Sequence, residues 1–96
     1  KGYLMKIKIY SKNNCPHCKE ALHSLKSYLD NFEEVVEILY VDEHPELKDE
    51  LLSIFDSLGL PRPKTVPQIF KYTEKKELVY LGDNKMIQEK IANKTL

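Results

Sequence analysis

The chain has 96 residues, enough for one domain with a core of modest size. It is 42% hydrophobic and 31% charged, which fits a globular protein and argues against a disordered one. The formal net charge is zero, so neither a nucleic-acid nor a membrane-surface partner is expected, and no apolar run approaches the ~20 residues of a membrane-spanning helix.

Lys1–Met5 are followed by no long apolar stretch. A secretory signal is therefore not expected, and Met5 is a candidate natural start with Lys1–Leu4 as an extension. Met5–Tyr10 alternates apolar and polar residues in part and predicts a first strand. Ser11–Asn14 is a polar turn. Pro16 suits the first turn of a helix, where its missing N–H costs nothing. Ala21, Leu22, Leu25, Leu29 and Phe32 repeat at helical spacing and predict a helix from about Pro16 to Asp30. Val35–Val41 is a short apolar run, read as a buried second strand. Pro45 opens a second helix with an apolar stripe of Leu47, Leu51, Leu52, Ile54, Phe55 and Leu58, and Gly59 is placed to end it. The charged residues Glu46, Lys48, Asp49 and Glu50 form its solvated face.

Leu60–Lys64 carries two prolines and reads as a loop. Val66–Tyr72 and Glu77–Leu81 predict a hairpin around the polar turn Thr73–Lys76. Gly82-Asp83-Asn84 breaks the chain and can cap a last helix, roughly Asn84–Asn93, with Met86, Ile87 and Ile91 inward. The order is βαβαββα, an α/β pattern whose strand–helix–strand start implies a parallel pair and whose final hairpin adds antiparallel strands. The single expected domain covers 1–96.

Cys15-Pro16-His17-Cys18 is the motif that carries chemistry. It follows the first strand and opens the first helix. Two cysteines three apart at a helix start lie one turn from each other on one face, so their sulfurs can close a small disulfide ring. Unpaired N–H groups and the helix dipole at that end favour a thiolate on Cys15. The only two cysteines of the chain are both in this motif. A disulfide that closes so short a loop removes little chain entropy, so the pair reads as catalytic rather than as a staple, and fits a reducing compartment.

With Tyr10-Ser11-Lys12-Asn13-Asn14 ahead of this motif, Thr65-Val66-Pro67-Gln68-Ile69-Phe70 downstream and Gly82-Asp83 beyond that, the chain resembles a dithiol glutaredoxin. The resemblance spans nearly the whole sequence. It implies a thioredoxin fold, with a four-stranded mixed sheet flanked by helices. It also implies a thiol–disulfide oxidoreductase in which Cys15 is the nucleophile and Cys18 the resolving thiol. Lys12 adds a positive charge near Cys15. Pro67 matches the family's cis-proline, which by resemblance sets the Val66 backbone beside the cysteines, ready to pair strand-like with a thiol peptide. His17 departs from the family's common tyrosine or phenylalanine. Either its imidazole stabilises the thiolate and raises the reduction potential, or it is simply solvated.

For glutathione the resemblance implies contacts at Lys12, Lys64, Thr65, Val66 and Pro67, with Gly82 and Asp83 at the γ-glutamyl end. There the family's Gly-Gly-x-x-Asp turn is altered to Leu81-Gly82-Asp83-Asn84, so Asp83 is either a ligand or a plain helix cap. His23 and His44 could complete a Cys₂His₂ zinc set, but a single Cys-x-x-Cys is half such a site, so no metal is expected. The implied function is glutathione-dependent reduction of protein disulfides or glutathione mixed disulfides, with no tightly bound cofactor. The expected setting is a cytoplasmic monomer whose clients include, by family analogy, ribonucleotide reductase. A thioredoxin-like reductant served by a flavoprotein reductase is the alternative, and a metal- or cluster-binding module the third reading.

Overall fold

The computed structural model describes residues 6–96. Lys1–Met5 lie outside the described residues, and with them the readings of Met5 as a strand residue and of Lys1–Leu4 as an extension. The elements are β1 (Lys6–Ser11), α1 (Pro16–Tyr28), α2 (Phe32–Val35), β2 (Val36–Tyr40), α3 (Pro45–Ser57), β3 (Gln68–Tyr72), β4 (Leu78–Gly82) and α4 (Asn84–Ala92). The sheet order is β2-β1-β3-β4, with β1 parallel to β2 and antiparallel to β3, and β3 antiparallel to β4. This is the four-stranded mixed sheet flanked by helices that the sequence implies.

The central strands bury side chains on both faces, as their period of two requires. Ile7, Ile9 and Ile69 pack with Ala21 and Leu25 of α1 and Ile87 of α4 on one face. Tyr10 and Phe70 pack with Leu51 and Phe55 of α3 on the other. That second cluster is aromatic, with Phe70 edge-on to Tyr10 at 5.9 Å and to Phe55 at 5.7 Å. Each such pair adds about 0.5–1.5 kcal/mol beyond area burial. Burial, then the neighbouring Glu50 carboxylate that accepts from its hydroxyl, pushes the Tyr10 phenol well above its ordinary range.

Several boundaries differ from the sequence reading. The first helix stops at Tyr28, and Leu29 is already extended. Leu29 and Phe32 still reach the core, but Phe32 does so from α2, a separate turn after Asp30-Asn31 that periodicity had merged into the first helix. Val35 is buried at the end of that turn, while β2 itself is largely half-buried because it is an edge strand. β3 begins at Gln68 rather than Val66, since Pro67 has no N–H to donate to a ladder. β4 runs one residue later than expected at each end. Met86 is 40% exposed instead of inward. Gly59, at φ +71, ends α3 as expected: its N–H donates to Asp56 and that of Leu60 to Phe55, the paired bonds of a Schellman cap.

Candidate functional site

The site grows from the end of β1. Asn14 takes a positive φ of 55, a conformation asparagine tolerates better than most residues, and turns the chain into α1. Cys15 is the N-cap of α1: the Cys18 backbone N–H donates to its Sγ at 3.2 Å. Pro16 occupies the first helical turn, and that turn contains no acidic residue. Two stabilising influences on a Cys15 thiolate, a donated N–H and the helix dipole, are therefore not opposed by a carboxylate there. Cys15 and Cys18 are joined as a disulfide, with Cα atoms 5.2 Å apart.

The two sulfurs are not equivalent. Both cysteines are buried, but Cys15 lines an open cleft of about 600 Å³ and Cys18 does not. The cleft gathers most of the sequence-predicted site. Lys12, Pro16, His17, Lys64, Thr65, Val66 and Pro67 line it together with Cys15. The Val66–Pro67 bond is cis, as the resemblance implies, and the Val66 carbonyl oxygen is 3.7 Å from Cys15 Sγ. Gln68 braces this loop from beneath. Its Nε2 donates to the Thr65 carbonyl at 3.0 Å, and Tyr80 donates to its Oε1 at 2.6 Å. Burial, then the charge of Asp83, pushes the Tyr80 phenol up, so it remains a donor.

The α4 end of the cleft is built differently. Asp83 lines it, but its Oδ1 accepts from the Met86 N–H at 3.1 Å as the cap of α4. Leu81 is buried in the core with Ile9 and Ile87. Gly82 is buried and does not line the cleft: an added Cβ would meet the Met86 side chain at 2.5 Å. Asn84 donates to Glu20 Oε1 at 2.7 Å and accepts from Gln88 at 3.0 Å, while Ser24 donates to Gln88 at 2.9 Å. This chain of polar contacts ties α4 to α1.

Three cleft residues escaped the sequence reading: Glu20, Asn84 as a buried link, and Lys85. Glu20, two residues past Cys18, and Lys85, two residues past Asp83, were legible as neighbours of motif residues, but no pattern marked them as lining the cleft. Gln68 carried a signal, as the one amide in an otherwise apolar run. Lys12, Lys64 and Lys85 are all exposed, and none makes an ion pair among the described residues. Close to Lys12, desolvation pushes the Asp42 carboxyl up, but backbone and side-chain donors of Asn13, with Lys12 adding to them, hold it below the usual carboxylate range. His23 is exposed on α1 and His44 precedes α3, and no three metal-ligating side chains converge among the described residues. No described helix is long and apolar enough to cross a membrane.

The glutaredoxin family model matches residues 7–74, more than half of the chain. The fold is similar to that of the dithiolic glutaredoxin 2-C-Grx1 from Trypanosoma brucei brucei, at TM-score 0.70 and 21% identity, covering 95% of this chain and 81% of that one. It is similar to oxidised glutaredoxin 2 from Chlamydomonas reinhardtii at TM-score 0.66 and 21% identity, covering 96% and 76%. No curated protein matches the sequence significantly.

Proposed function

The chain belongs to the glutaredoxin family of thiol–disulfide oxidoreductases, and from that premise we propose that it reduces protein disulfides and glutathione mixed disulfides at the expense of glutathione. The observation that carries this reading is the setting of Cys15: a helix N-cap opening into a cleft with three lysines that make no ion pair among the described residues, 3.7 Å from the Val66 carbonyl.

The Cys15 thiolate attacks one sulfur of a client disulfide. The S–S bond breaks, the departing client sulfur takes up a proton, and a Cys15–client disulfide remains. Cys18, losing its proton, attacks Cys15 Sγ from one turn away, releasing the second client thiol and closing the Cys15–Cys18 disulfide. Two glutathiones then reopen that disulfide and leave as oxidised glutathione. With a glutathionylated client, Cys15 takes the glutathione sulfur and frees the client thiol. A second glutathione, losing its thiol proton, then attacks the sulfur of the first, so that the Cys15–glutathione bond breaks, oxidised glutathione leaves and the Cys15 thiolate is restored without Cys18. Lys12 and Lys64 suit the glycyl carboxylate, since charge-assisted hydrogen bonds are the stronger kind of polar contact. The Val66 backbone suits the extended thiol peptide, and Asp83 with the start of α4 lies where the γ-glutamyl end would reach.

No tightly bound cofactor is needed. A reducing, cytoplasmic setting keeps the pair as a dithiol between turnovers, and a monomer suffices because both cysteines lie in one chain. Ribonucleotide reductase is among the disulfide clients by analogy. The buried Leu81 and the covered Gly82 favour a second reading, a thioredoxin-like reductant served by a flavoprotein reductase. A coupled assay separates the two. Turnover with glutathione and its reductase is expected, whereas turnover with thioredoxin reductase alone would overturn the glutathione reading.

A further inference from the structure

Ser11 ends β1 at 1% exposure, and its hydroxyl oxygen has no hydrogen-bond partner. It is the only buried side-chain oxygen or nitrogen so left among the described residues. The backbone of Ser11 is ordinary: its carbonyl accepts from the Val41 N–H at 2.9 Å, and the residue pairs with Tyr40 of β2. Only the side chain lacks a use in the fold. A hydroxyl taken out of water without a partner is disfavoured, and native folds hold few of them. The group therefore calls for a partner that another state of the molecule supplies.

The topology points to Cys18. Side chains alternate along a strand, so Ser11 shares a face with Ile7 and Ile9, which pack on α1. The buried residues of α1 are Cys18, Ala21 and Leu25, spaced to form one row. β1 runs up to the redox turn and α1 runs back from it, because β1 and β2 are parallel and α1 lies between them in the chain. The two rows thus run in opposite directions. Ser11, last on the strand, comes level with Cys18, first on the helix. Cys18 is 1% exposed and does not line the cleft, so bulk water solvates neither group.

In the oxidised protein Cys18 Sγ is bonded to Cys15 Sγ. A disulfide sulfur has no hydrogen to donate and is a weak acceptor. Opening the bond changes this. An incoming thiolate attacks Cys15 Sγ, the S–S bond breaks, and Cys18 departs with the bonding pair as a thiolate. It then takes up, through solvent, the proton that the incoming thiol had lost. A thiolate accepts a charge-assisted hydrogen bond, and a thiol gives or takes a weaker one. A serine hydroxyl rotates to suit either.

Resting on the Cys15–Cys18 exchange and not on which thiol reduces it, we infer that Ser11 is the internal partner of the resolving cysteine: its hydroxyl, unpaired in the disulfide form, hydrogen-bonds Cys18 Sγ once the pair is reduced, and so makes the pair more oxidising. The hydroxyl is then unfavourable in the oxidised fold and favourable in the reduced one. A serine with a purely structural role would act alike on both.

The test equilibrates the unmodified protein, Ser11→Ala and Ser11→Thr with dithiothreitol redox buffers, which need no glutathione site. Alkylation and intact mass give the reduced fraction. Ser11→Ala should lower the equilibrium constant for reduction by about three- to tenfold, a negative shift of about 15–30 mV at ~30 mV per tenfold. Ser11→Thr keeps the hydroxyl and should hold the potential, its added methyl weakening both redox forms alike. Urea unfolding of each form is the second readout. Ser11→Ala should leave the oxidised protein at least as stable as the parent and weaken the reduced one. In a Cys18→Ala background, Ser11→Ala should leave the Cys15 thiol pKa unmoved. An unchanged or more positive potential in Ser11→Ala, or a threonine variant that shifts as far as alanine, would overturn the inference. So would a Cys15 pKa that moves in the absence of Cys18, because the hydroxyl would then act on the wrong sulfur. Equal weakening of both redox forms by Ser11→Ala would also sink it, by showing a hydroxyl already satisfied in the disulfide form. Failure to turn over with glutathione counts against the proposed reaction alone, since none of these measurements uses glutathione.

Discussion

The two ends of the redox cleft answer the same problem in opposite ways. At the cis-proline end the protein leaves its binding groups free: the Val66 backbone faces Cys15, and Lys12 and Lys64 stand exposed without ion-pair partners among the described residues. At the α4 end, Lys85 apart, it has already used them. Asp83 caps the helix, Asn84 is bonded to Glu20 and Gln88, and Met86 covers Gly82. A ligand gains most where groups would otherwise be satisfied only by water, and little where it must displace an internal hydrogen bond. The cleft is therefore asymmetric in what it offers a ligand, with recognition concentrated at the thiol end.

The strongest test of that concentration is at the sulfurs. Cys15→Ser should abolish every exchange reaction, because Cys15 alone lines the cleft. Cys18→Ser should lose protein-disulfide reduction but accumulate a Cys15 mixed disulfide with glutathione, seen by mass spectrometry of the intact protein. If Cys15→Ser retained turnover, or if the adduct formed on Cys18, the geometry would have been read backwards.

At the other end the largest effect should be on stability. Gly82 has φ +111, and an alanine Cβ would collide with Met86 at 2.5 Å. Gly82→Ala is expected to cost about 2–3 kcal/mol, combining backbone strain with overpacking. Thr65→Ala at the exposed end should change stability by under about 0.5 kcal/mol. Urea denaturation compares them, and adding Met86→Ala to Gly82→Ala should recover only the part of the loss owed to the Met86 Sδ and Cε, since the alanine keeps the Cβ that also lies 2.5 Å away. Equal tolerance at both positions would mean that the α4 end is not filled as described.

The same asymmetry decided what the sequence could reveal. Cys15, Pro16, Thr65, Val66 and Pro67 form contiguous motifs that carry the family resemblance, and it was that resemblance which implied their meeting across one cleft. The sheet was legible through the alternation in β1 and β3 and the helical spacing of Leu25, Leu51 and Phe55. What was not legible depends on contacts between distant segments. Leu81 and Asn84 could be seen to depart from the family turn, but the pairing of Asn84 with Glu20 spans 64 positions and leaves no local pattern. Met86 and Leu52 fitted apolar stripes, yet one covers a glycine and the other lines a groove. Periodicity assigns a face, not the neighbour that face meets. α2 was missed because its single turn continues the spacing of α1 after a break at Leu29.

His17 lies at the thiol end, exposed and lining the cleft beside Cys15. An imidazole there can stabilise the reduced thiolate, which makes the pair more oxidising. His17→Tyr should move the potential in the negative direction by about 30 mV, equivalent to ~1.4 kcal/mol for this two-electron couple. Equilibration against a glutathione redox buffer measures it. A shift of the opposite sign, or none, would leave His17 as a solvated side chain and narrow the tuning of Cys15 to Lys12 and the helix terminus.

The smallest expected effect bears most directly on the comparison, because it sets one charged residue from each end against the other. Lys12 is exposed, without an ion-pair partner among the described residues and on the cleft wall, so Lys12→Ala removes a group that a glutathione carboxylate would meet. For a partly exposed charged contact the loss should be about 1 kcal/mol, a several-fold fall in glutathione use. Asp83 is committed to the Met86 N–H, so Asp83→Ala should appear first as a lost helix cap, about 1 kcal/mol of stability, and only weakly in glutathione kinetics. Deglutathionylation rates across a range of glutathione concentrations, read beside urea midpoints for both variants, separate binding from folding. A lysine charge near Cys15 would also favour its thiolate, so the thiolate pKa is titrated in each variant, and only a kinetic change left after that correction counts as a lost contact. If Asp83→Ala is the more damaging with its fold and its Cys15 pKa unchanged, then the capping carboxylate also serves the ligand through its second oxygen. The α4 end would then bind the γ-glutamyl group despite Leu81, and the asymmetry drawn from the internal hydrogen bonds would fail.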